Sequence, residues 1–353
     1  MKIGLIGCGK QAPKHISGLT AGGGIEMVLA DQDRALARRL AEEKGVLAAD
    51  SVEALFADPA IRAIDIATPT PSHAPLIRRA ISAGKHFFCE KPLCETLDEA
   101  RELDRLTREA GLVGMVGYIY RFAPAFEMAH AILNPPAGEA SPLGRPVLAW
   151  LRIGGRGSHQ LWKHRRESGG GAVNEMLVHM LDLAIWLFGP VEAAELLSVD
   201  LMRPARRIQG RMENVNAEDF VLARFRMAGG LTVYIQADMV TPAFSQVVEI
   251  QGENGSFRGS IQSELPTGLT LIEAAGGYPA GLTNLAAGPA NLFLRQMTAF
   301  LDAVRAGRTP ERCSLADSVR LKEGVAKLGP IGPLPAGTDS ETAAAGTESI
   351  GGA

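Results

Sequence analysis

The feature that most constrains the fold is a run of small residues directly after the first apolar segment. Residues Lys2–Ile6 form a candidate buried strand, and the next six residues read Gly7-Cys8-Gly9-Lys10-Gln11-Ala12. In this G-x-G-x-x-A pattern Gly7 permits a tight turn, Gly9 lets the backbone approach a pyrophosphate, and Ala12 allows close packing of a helix on the sheet. The free N–H groups at the start of that helix bind phosphate. We therefore predict a Rossmann unit that binds a dinucleotide through residues 7–12.

A carboxylate in the expected place supports this prediction. The second apolar segment, Met27–Ala30, ends at Asp31, roughly 20 residues after the glycines, where an acid accepts hydrogen bonds from the adenosine ribose hydroxyls. The same charge repels a 2′-phosphate, which favours NAD over NADP, although Arg34 is close enough to contact a phosphate. The alternative is that Asp31 is an ordinary loop or capping residue.

Apolar segments of strand length alternate with helical patterns up to about Gly117, which is typical of an α/β fold. The predicted helix after Thr96 has Glu99 at the capping-box position and runs to Gly111. Strand, helix, strand in this order predicts a doubly wound parallel sheet. The other predicted strands are Ile61–Ala67, His86–Cys89 and Leu112–Val116, and the other predicted helices are Ala35–Lys44 and Ala74–Ser82.

After Pro124 the pattern changes to strands with fewer helices. The turns Ala228-Gly229-Gly230 and Glu253-Asn254-Gly255 favour hairpins, so we predict an α+β domain with a large, mainly antiparallel, open-faced sheet. The sequence thus divides into a cofactor domain (residues 1–122), a substrate and oligomerisation domain (123–330) and a disordered tail (331–353). The predicted elements of the second domain are strands Pro146–Ile153, Glu192–Leu201, Asp219–Arg226, Leu231–Asp238 and Val247–Gln251, and helices Val173–Leu187, Leu292–Ala306 and Leu315–Leu328.

Charge and cysteine content exclude several classes of protein. The formal net charge is −3 and no strongly basic region stands out, which argues against a nucleic-acid partner. The apolar run Val178–Phe188 is broken by Asp182 and is too short to span a bilayer. The four cysteines show neither metal-ligand nor disulfide spacing, so we expect no metal site and a location in the reducing cytoplasm.

Five motifs carry a resemblance to a known family. They are Gly7–Ala12 followed by His15; Ala67-Thr68-Pro69 with His73; Gly84-Lys85-His86 leading to Glu90-Lys91-Pro92; Gly117 with Arg121-Phe122; and Gly169-Gly170-Gly171 ahead of His179 and Asp182. Together they resemble the glucose–fructose oxidoreductase/inositol dehydrogenase (Gfo/Idh/MocA) family, over most of the chain up to about residue 330. The evidence most specific to this family is that the Glu-Lys-Pro triplet and the Gly-Gly-Gly…His helix occur in the same chain.

The resemblance implies an NAD(P)-dependent oxidoreductase. Hydride would move between nicotinamide and a hydroxyl or carbonyl carbon of a sugar, sugar acid, inositol-like polyol or related molecule. The family's motifs assign catalysis and substrate binding to Lys91, Glu175 and His179, and place Thr68, Pro69, His73, Glu90 and Lys91 beside the cofactor. The chain departs from the family pattern where Glu175 replaces an aspartate and Leu177 replaces a glycine.

The chemistry of these residues agrees with that assignment. Glu175 and His179 are four residues apart on a predicted helix, so they share a face, and a carboxylate beside an imidazole raises its pKa and orients it. His179 would then be the general base or acid, while Lys91 stabilises the developing alkoxide. Lys91 as the proton donor remains open. The alternatives to a catalytic role are that His179 is an ordinary buried core residue, or that Glu175 and His179 form only a surface pair.

Three further residues are candidates for contact with the substrate. Trp162 and Lys163 lie in a loop that leads into the three glycines, although this charged run can equally be a solvated surface. Tyr118 follows the fifth predicted strand and is placed to line the pocket. Pro92 is a candidate for a cis peptide bond.

Two other functions remain open at this point. The family includes NAD-binding sensors or corepressors that have lost catalysis, and NAD-dependent glycosidases that oxidise their substrate transiently. Retention of Lys91 together with the acid–histidine pair argues against the sensor. We also predict a homodimer or homotetramer, because the sheet face that carries Thr232, Tyr234 and Gln236 is not strongly polar and needs a partner.

Overall fold

The computed structural model describes residues 1–157, 160–262 and 264–332. Residues 333–353, which hold nearly all of the predicted disordered tail, lie outside the described residues. The N-terminal segment forms a six-stranded, fully parallel sheet in the order β3-β2-β1-β4-β5-β6, which confirms the doubly wound fold. Its strands are β1 (Lys2–Ile6), β2 (Glu26–Ala30), β3 (Leu47–Ala48), β4 (Ile61–Ile66), β5 (His86–Cys89) and β6 (Gly114–Val116).

Helices cover this sheet and connect its strands. The predicted capping box is present, since the Thr96 side chain accepts from the Glu99 N–H and the Glu99 carboxylate accepts from the Thr96 N–H. The elements β3 and α3 were not predicted, because they are only two and six residues long and too short to show a periodic pattern. The helices of this half are α1 (Ala12–Thr20), α2 (Arg34–Lys44), α3 (Val52–Ala57), α4 (His73–Ser82) and α5 (Leu97–Glu109), followed by α6 (Pro124–Leu133).

The second half contains an eight-stranded sheet in the order β16-β15-β14-β13-β7-β12-β11-β8. Among its described strands, only β7 and β12 pair in parallel, so the prediction of a mainly antiparallel sheet is confirmed. The Asn254-Gly255 turn joins β13 to β14 as predicted, and β9 with β10 forms a separate hairpin. The strands are β7 (Pro146–Gly154), β8 (Val191–Asp200), β9 (Ala205–Ile208), β10 (Arg211–Asn214), β11 (Phe220–Met227), β12 (Thr232–Asp238), β13 (Ser245–Gly252), β14 (Gly255–Ser260), β15 (Thr267–Leu271) and β16 (Gly281–Leu285).

The two faces of this sheet differ. Along β12, Val233, Ile235 and Ala237 are fully buried, whereas the alternate residues Thr232, Tyr234 and Gln236 are only half-buried. On that outer face Trp150 is 43% exposed and stacks on Tyr234, with 4.4 Å between the ring centroids. A single chain therefore leaves aromatic surface uncovered on one side of the sheet.

The central helix of the second half is not regular along its length. Residues Val173–Leu177 form a π-helical turn, and α7 (Val178–Phe188) follows without a break. The prediction of one continuous α-helix over Val173–Leu187 is wrong in its first turn. The stretch Arg166–Phe188 is long and apolar enough to cross a membrane by composition, but 72% of its most apolar window is buried inside the protein. Its apolar surface thus belongs to the core.

The chain returns to the first domain after the second sheet. The last helices, α8 (Leu292–Ala306) and α9 (Leu315–Ala326), pack against α1 and α5, and the Val116 N–H donates to the Cys313 carbonyl at 2.8 Å. The prediction placed α8 and α9 with the second domain. In the structure α8 packs on α1 and on the turn Ile119–Phe122 of the first half, whereas α9 packs on α5 of the first half and on α7 and β8 of the second.

A buried ion cluster joins the two halves. Arg121 is 1% exposed and lies in a short 3₁₀ turn, Ile119–Phe122, just after β6. Its Nε and Nη2 donate to the two Asp182 oxygens at 2.9 and 2.7 Å, and Nη1 lies 3.3 Å from Asp317. Because Asp182 belongs to α7 and Asp317 to α9, one guanidinium fixes both helices against the first domain.

Candidate active site

The glycine turn has the shape that a dinucleotide requires. Gly7 has a φ of +98°, and a Cβ there would lie 2.6 Å from the Ala67 carbonyl oxygen, so only glycine fits. Gly9 is exposed and has no heavy atom within 4 Å of an ideal Cβ position, which leaves the backbone open to a phosphate. Ala12 is fully buried where α1 meets the sheet. The residues at this turn therefore fit a bound NAD.

Asp31 lies beside this turn. Its carboxylate accepts from the Cys8 N–H at 2.7 Å and from the Asp33 N–H at 2.9 Å. The cap of α2 is Asp33, whose side chain accepts from the N–H groups of Ala35 and Leu36. Asp31 is thus held against the glycine turn, with lone pairs left for ribose hydroxyls. Lys10 and Gln11 are exposed at the start of α1, where a phosphate would approach.

We predicted that His73 lies beside the cofactor, but its ring is enclosed between two loops. Its ring is 1% exposed, and both nitrogens lie 2.8 Å from carbonyl oxygens, those of Thr68 and Pro92. Burial lowers its pKa, against the effect of these two carbonyls. The ring therefore connects the loop after β4, which includes Pro69, to the loop after β5. The Lys91–Pro92 bond in the second loop is cis, as predicted.

Lys91 meets the second domain at the carboxyl end of β5. Its Nζ donates to the Glu175 backbone oxygen at 3.4 Å and lies 3.9 Å from the Glu175 carboxylate, with the Lys91 side chain only 12% exposed. Burial lowers the pKa of Lys91, and the nearby Lys163 ammonium adds to this, while Glu175 and Glu90 oppose it. A buried amine with a depressed pKa is suited to proton transfer.

Glu175 joins two lysines. Its carboxylate accepts from Lys163 Nζ at 2.5 Å, and the same ammonium lies 5.0 Å from the centre of the Trp162 ring. Burial alone would raise the pKa of Glu175, but Lys91 and Lys163 outweigh it and lower the pKa. Glu175 is therefore a carboxylate that links the predicted substrate loop to Lys91.

The three glycines place this loop. The Gly171 N–H donates to the Lys163 carbonyl at 3.0 Å, and a Cβ on Gly170 would lie 2.4 Å from the same oxygen. Gly171 has a φ of +114° and packs against Glu218, which a Cβ would meet at 2.2 Å. The close approach of the loop to the helix start thus depends on the absence of side chains. Leu177, where the family pattern has another glycine, is fully buried and packs into the core.

The predicted Glu175–His179 pair is not formed. Among the described contacts, Glu175 binds the two lysines, and the His179 ring packs edge-on against Tyr120 with 4.9 Å between centroids. The prediction assumed 3.6 residues per turn, but the π-helical turn is wider and moves Glu175 off the His179 face. Burial, Lys91 and Lys163 together lower the pKa of His179 well below its ordinary value. The prediction of a raised pKa is wrong, and the imidazole is neutral.

Tyr118 is also not where it was predicted. It is 3% exposed, and its hydroxyl lies 2.7 Å from Ser318 Oγ on α9, so it belongs to the junction between the domains. The residue that reaches the site is Tyr120. Tyr118 was chosen because it follows the fifth predicted strand, but a 3₁₀ turn, Ile119–Phe122, comes directly after it. The sequence carried no signal that singled out Tyr120.

Comparison with known proteins identifies the family. Residues 1–118 match the model of the oxidoreductase family with an NAD-binding Rossmann fold, and residues 139–258 match the Gfo/Idh/MocA C-terminal domain. The chain belongs to the Gfo/Idh/MocA family. It is an NAD-binding oxidoreductase, which confirms the predicted fold, cofactor and class of enzyme.

Similar proteins cover nearly the whole length. The 1,5-anhydro-D-fructose reductase of Ensifer adhaerens is 30% identical over 324 residues, 87% of this chain and 89% of the reductase. The scyllo-inositol 2-dehydrogenase (NAD(+)) of Bacillus subtilis (strain 168) is 27% identical and covers 92% of each chain. The structure of levoglucosan dehydrogenase in complex with NADH has a TM-score of 0.82 at 22% identity, over 93% of this Gfo/Idh/MocA chain and 95% of the other. The last comparison establishes the shared fold.

Proposed function

We propose that this enzyme transfers hydride between NAD and a hydroxyl or carbonyl carbon of a small polyhydroxylated molecule such as a sugar, sugar acid or inositol-like polyol. The observation that carries the proposal is the convergence of Lys91, from the end of β5, with Glu175 and His179, from the helix of the second domain. Relatives of similar length named for anhydrofructose and scyllo-inositol support the substrate class.

Lys91 is the proposed proton-transfer residue. A hydroxyl proton must leave as the carbinol carbon gives up hydride. Because burial and Lys163 lower the pKa of Lys91, its neutral amine accepts that proton in oxidation, and its ammonium returns it in reduction. His179 stays neutral beside the two lysines, so it orients the substrate hydroxyl through a hydrogen bond. Glu175 holds both lysines in position.

The positions of the other residues in the cleft indicate which of them would bind the cofactor and which the substrate. NAD, which accepts or supplies the hydride, would be held by Gly7, Cys8, Gly9, Lys10, Gln11 and Ala12 at its phosphates. Asp31 would bind the ribose hydroxyls, and Thr68, Pro69 and Glu90 would lie towards the nicotinamide end. NADP is disfavoured, because Asp31 would repel a 2′-phosphate. Trp162 and Lys163 would contact the substrate.

The proposed assembly uses the outer face of the large sheet. A homodimer or homotetramer would cover Trp150 and Tyr234, together with Val147 and Leu197, which are 44% and 43% exposed in the single chain. The four buried free thiols fit a reducing cytoplasm. In this proposal residues 1–122 hold the cofactor and residues 123–330 supply the substrate and subunit contacts.

The test follows reduced nicotinamide by absorbance while the enzyme is incubated with scyllo-inositol, 1,5-anhydro-D-fructose or levoglucosan and the matching form of NAD. We expect Lys91→Met to abolish turnover with NAD binding intact, and His179→Asn to lower kcat about 100-fold. Lys44→Met, at an exposed position, is the control. Wild-type activity in Lys91→Met would remove Lys91 from the mechanism.

The same assay separates the two other functions. NAD binding without turnover of these compounds, or of a wider panel of sugars, sugar acids and polyols, would favour the sensor and contradict the proposed activity. A glycosidase would cleave a glycoside while the amount of reduced NAD in solution stays constant.

A further inference from the structure

A buried histidine outside the cleft contacts two acids beneath Lys91. His15, on α1, is fully buried, and its Nδ1 lies 3.1 and 3.0 Å from the two oxygens of Asp65 at the end of β4. Its Nε2 lies 3.0 Å from Glu90 Oε1 after β5. One imidazole therefore links the first helix to two neighbouring strands of the cofactor sheet.

The partners decide the protonation state of this ring. Ionised carboxylates only accept hydrogen bonds, so each ring nitrogen must carry a hydrogen. The ring then has a full positive charge between two negative ones. Burial alone would lower the pKa of His15, but Asp65 and Glu90 outweigh it and raise the pKa to about 10.

The far side of Glu90 contacts the catalytic segment. Glu90 Oε2 accepts from the Lys91 N–H at 3.1 Å. Burial alone would raise the pKa of Glu90, but His15, and to a smaller extent Lys91, outweigh it and lower the pKa. The Glu90 charge in turn raises the pKa of Lys91, acting with Glu175 against burial and Lys163. His15 is thus coupled to Lys91 through one carboxylate, with no direct contact needed.

We propose that His15 is a positioning residue: as an imidazolium between Asp65 and Glu90, it keeps Glu90 ionised and fixed under the Lys91 backbone, and so tunes the Lys91 amine. The inference deepens the proposed function, because it takes Lys91 as the proton-transfer residue. The charged and titratable groups that act on Lys91 are Glu175, Lys163 and Glu90, and its charge acts on His179 and His73.

The state of the ring can be measured on the wild-type protein. Long-range ¹H–¹⁵N NMR spectra of histidine-labelled enzyme distinguish imidazolium from the two neutral tautomers. We expect His15 to stay doubly protonated at pH values where an ordinary histidine, with a pKa of about 6.5, is neutral. A neutral tautomer of His15 at pH 8 would overturn the proposal, even if the variants below failed to fold.

The coupling to Lys91 is measured without substrate. Lysines are reductively ¹³C-methylated, and the Lys91 signal, assigned by its loss in Lys91→Arg, is titrated. We expect Glu90→Gln to move the Lys91 titration down by about one pH unit, as loss of one nearby opposite charge does, and His15→Gln to move it in the same direction. In the double variant His15→Gln should add nothing further.

Controls separate tuning from simple loss of structure. His130 stacks on Trp186, so His130→Gln should leave the Lys91 titration in place. If His15→Gln leaves that titration unchanged, or adds fully to Glu90→Gln, His15 is only a structural residue and the proposal is wrong. Because the titration needs no turnover, it can succeed even if the proposed activity fails, and the two results are distinguishable.

Discussion

Lys91 is surrounded by charges of both signs, and their balance decides what its amine can do. Glu175 and Glu90 favour the ammonium, whereas burial and Lys163 favour the neutral amine, and the net result is a lowered pKa. His179 has no carboxylate partner among the described contacts, so the same lysines only lower its pKa. In the proposed mechanism the two residues therefore have different roles.

Lys163 should set the pH at which oxidation becomes fast. The rate of oxidation rises with pH as the Lys91 ammonium loses its proton, so the acidic, ascending limb of the pH profile follows the Lys91 pKa. Lys163→Met removes a cation that lowers this pKa and leaves Glu175 free to bind Lys91, and both changes raise it. In Lys163→Met we expect this limb of the plot of kcat against pH to move to higher pH. In the control Lys44→Met it should stay in place. A shift to lower pH would contradict this account of Lys163.

At the scale of elements, the turn before the π-helical segment decides where Lys163 lies. The turn is built from three glycines with different surroundings. Gly171 is packed against Glu218, and Gly170 against the Lys163 carbonyl, whereas Gly169, with a φ of +71°, has nothing within 4 Å of an ideal Cβ. The position of the loop that carries Trp162 and Lys163 therefore depends on two of the three glycines.

Gly171→Ala should destabilise the enzyme far more than Gly169→Ala. The Gly171 variant places a methyl group on a buried carboxylate and also strains the backbone, which we expect to cost about 3 kcal/mol or more. Gly169→Ala carries only the backbone strain, about 1 kcal/mol. Urea unfolding of both variants measures the difference. Equal losses of stability would show that the contact with Glu218 is unimportant.

The sequence predicted most elements but not how the site residues face one another. Strands such as Lys2–Ile6 and His86–Cys89 were predicted at their observed bounds, because each is a short apolar run between clear turn signals. The π-helical turn leaves no such signal, so the Glu175–His179 pairing was inferred from regular helix geometry and was wrong. The position of Lys91 just after the carboxyl end of β5 did follow from the sequence, because the bounds of that parallel strand were predicted.

At the scale of the whole molecule, the uncovered face of the large sheet predicts an interface. Trp150 and Tyr234 are opposite each other on β7 and β12, and exposed aromatic surface of this kind marks a site of association. We expect light scattering to give a dimeric or tetrameric mass for the wild type and a monomeric mass for Trp150→Glu. Leu47→Glu, at a 53% exposed position on the other domain, should keep the wild-type mass. A monomeric wild type would contradict the prediction.

The Arg121 cluster has a consequence for how the substrate binds. Asp182 lies three residues after His179 on α7, so the guanidinium that holds Asp182 anchors the helix that carries His179. The spacing across the cleft is then established during folding, before any ligand arrives. If the proposed function holds, we expect little of the substrate's binding energy to be spent on drawing the two halves together, so that more remains to stabilise the transition state.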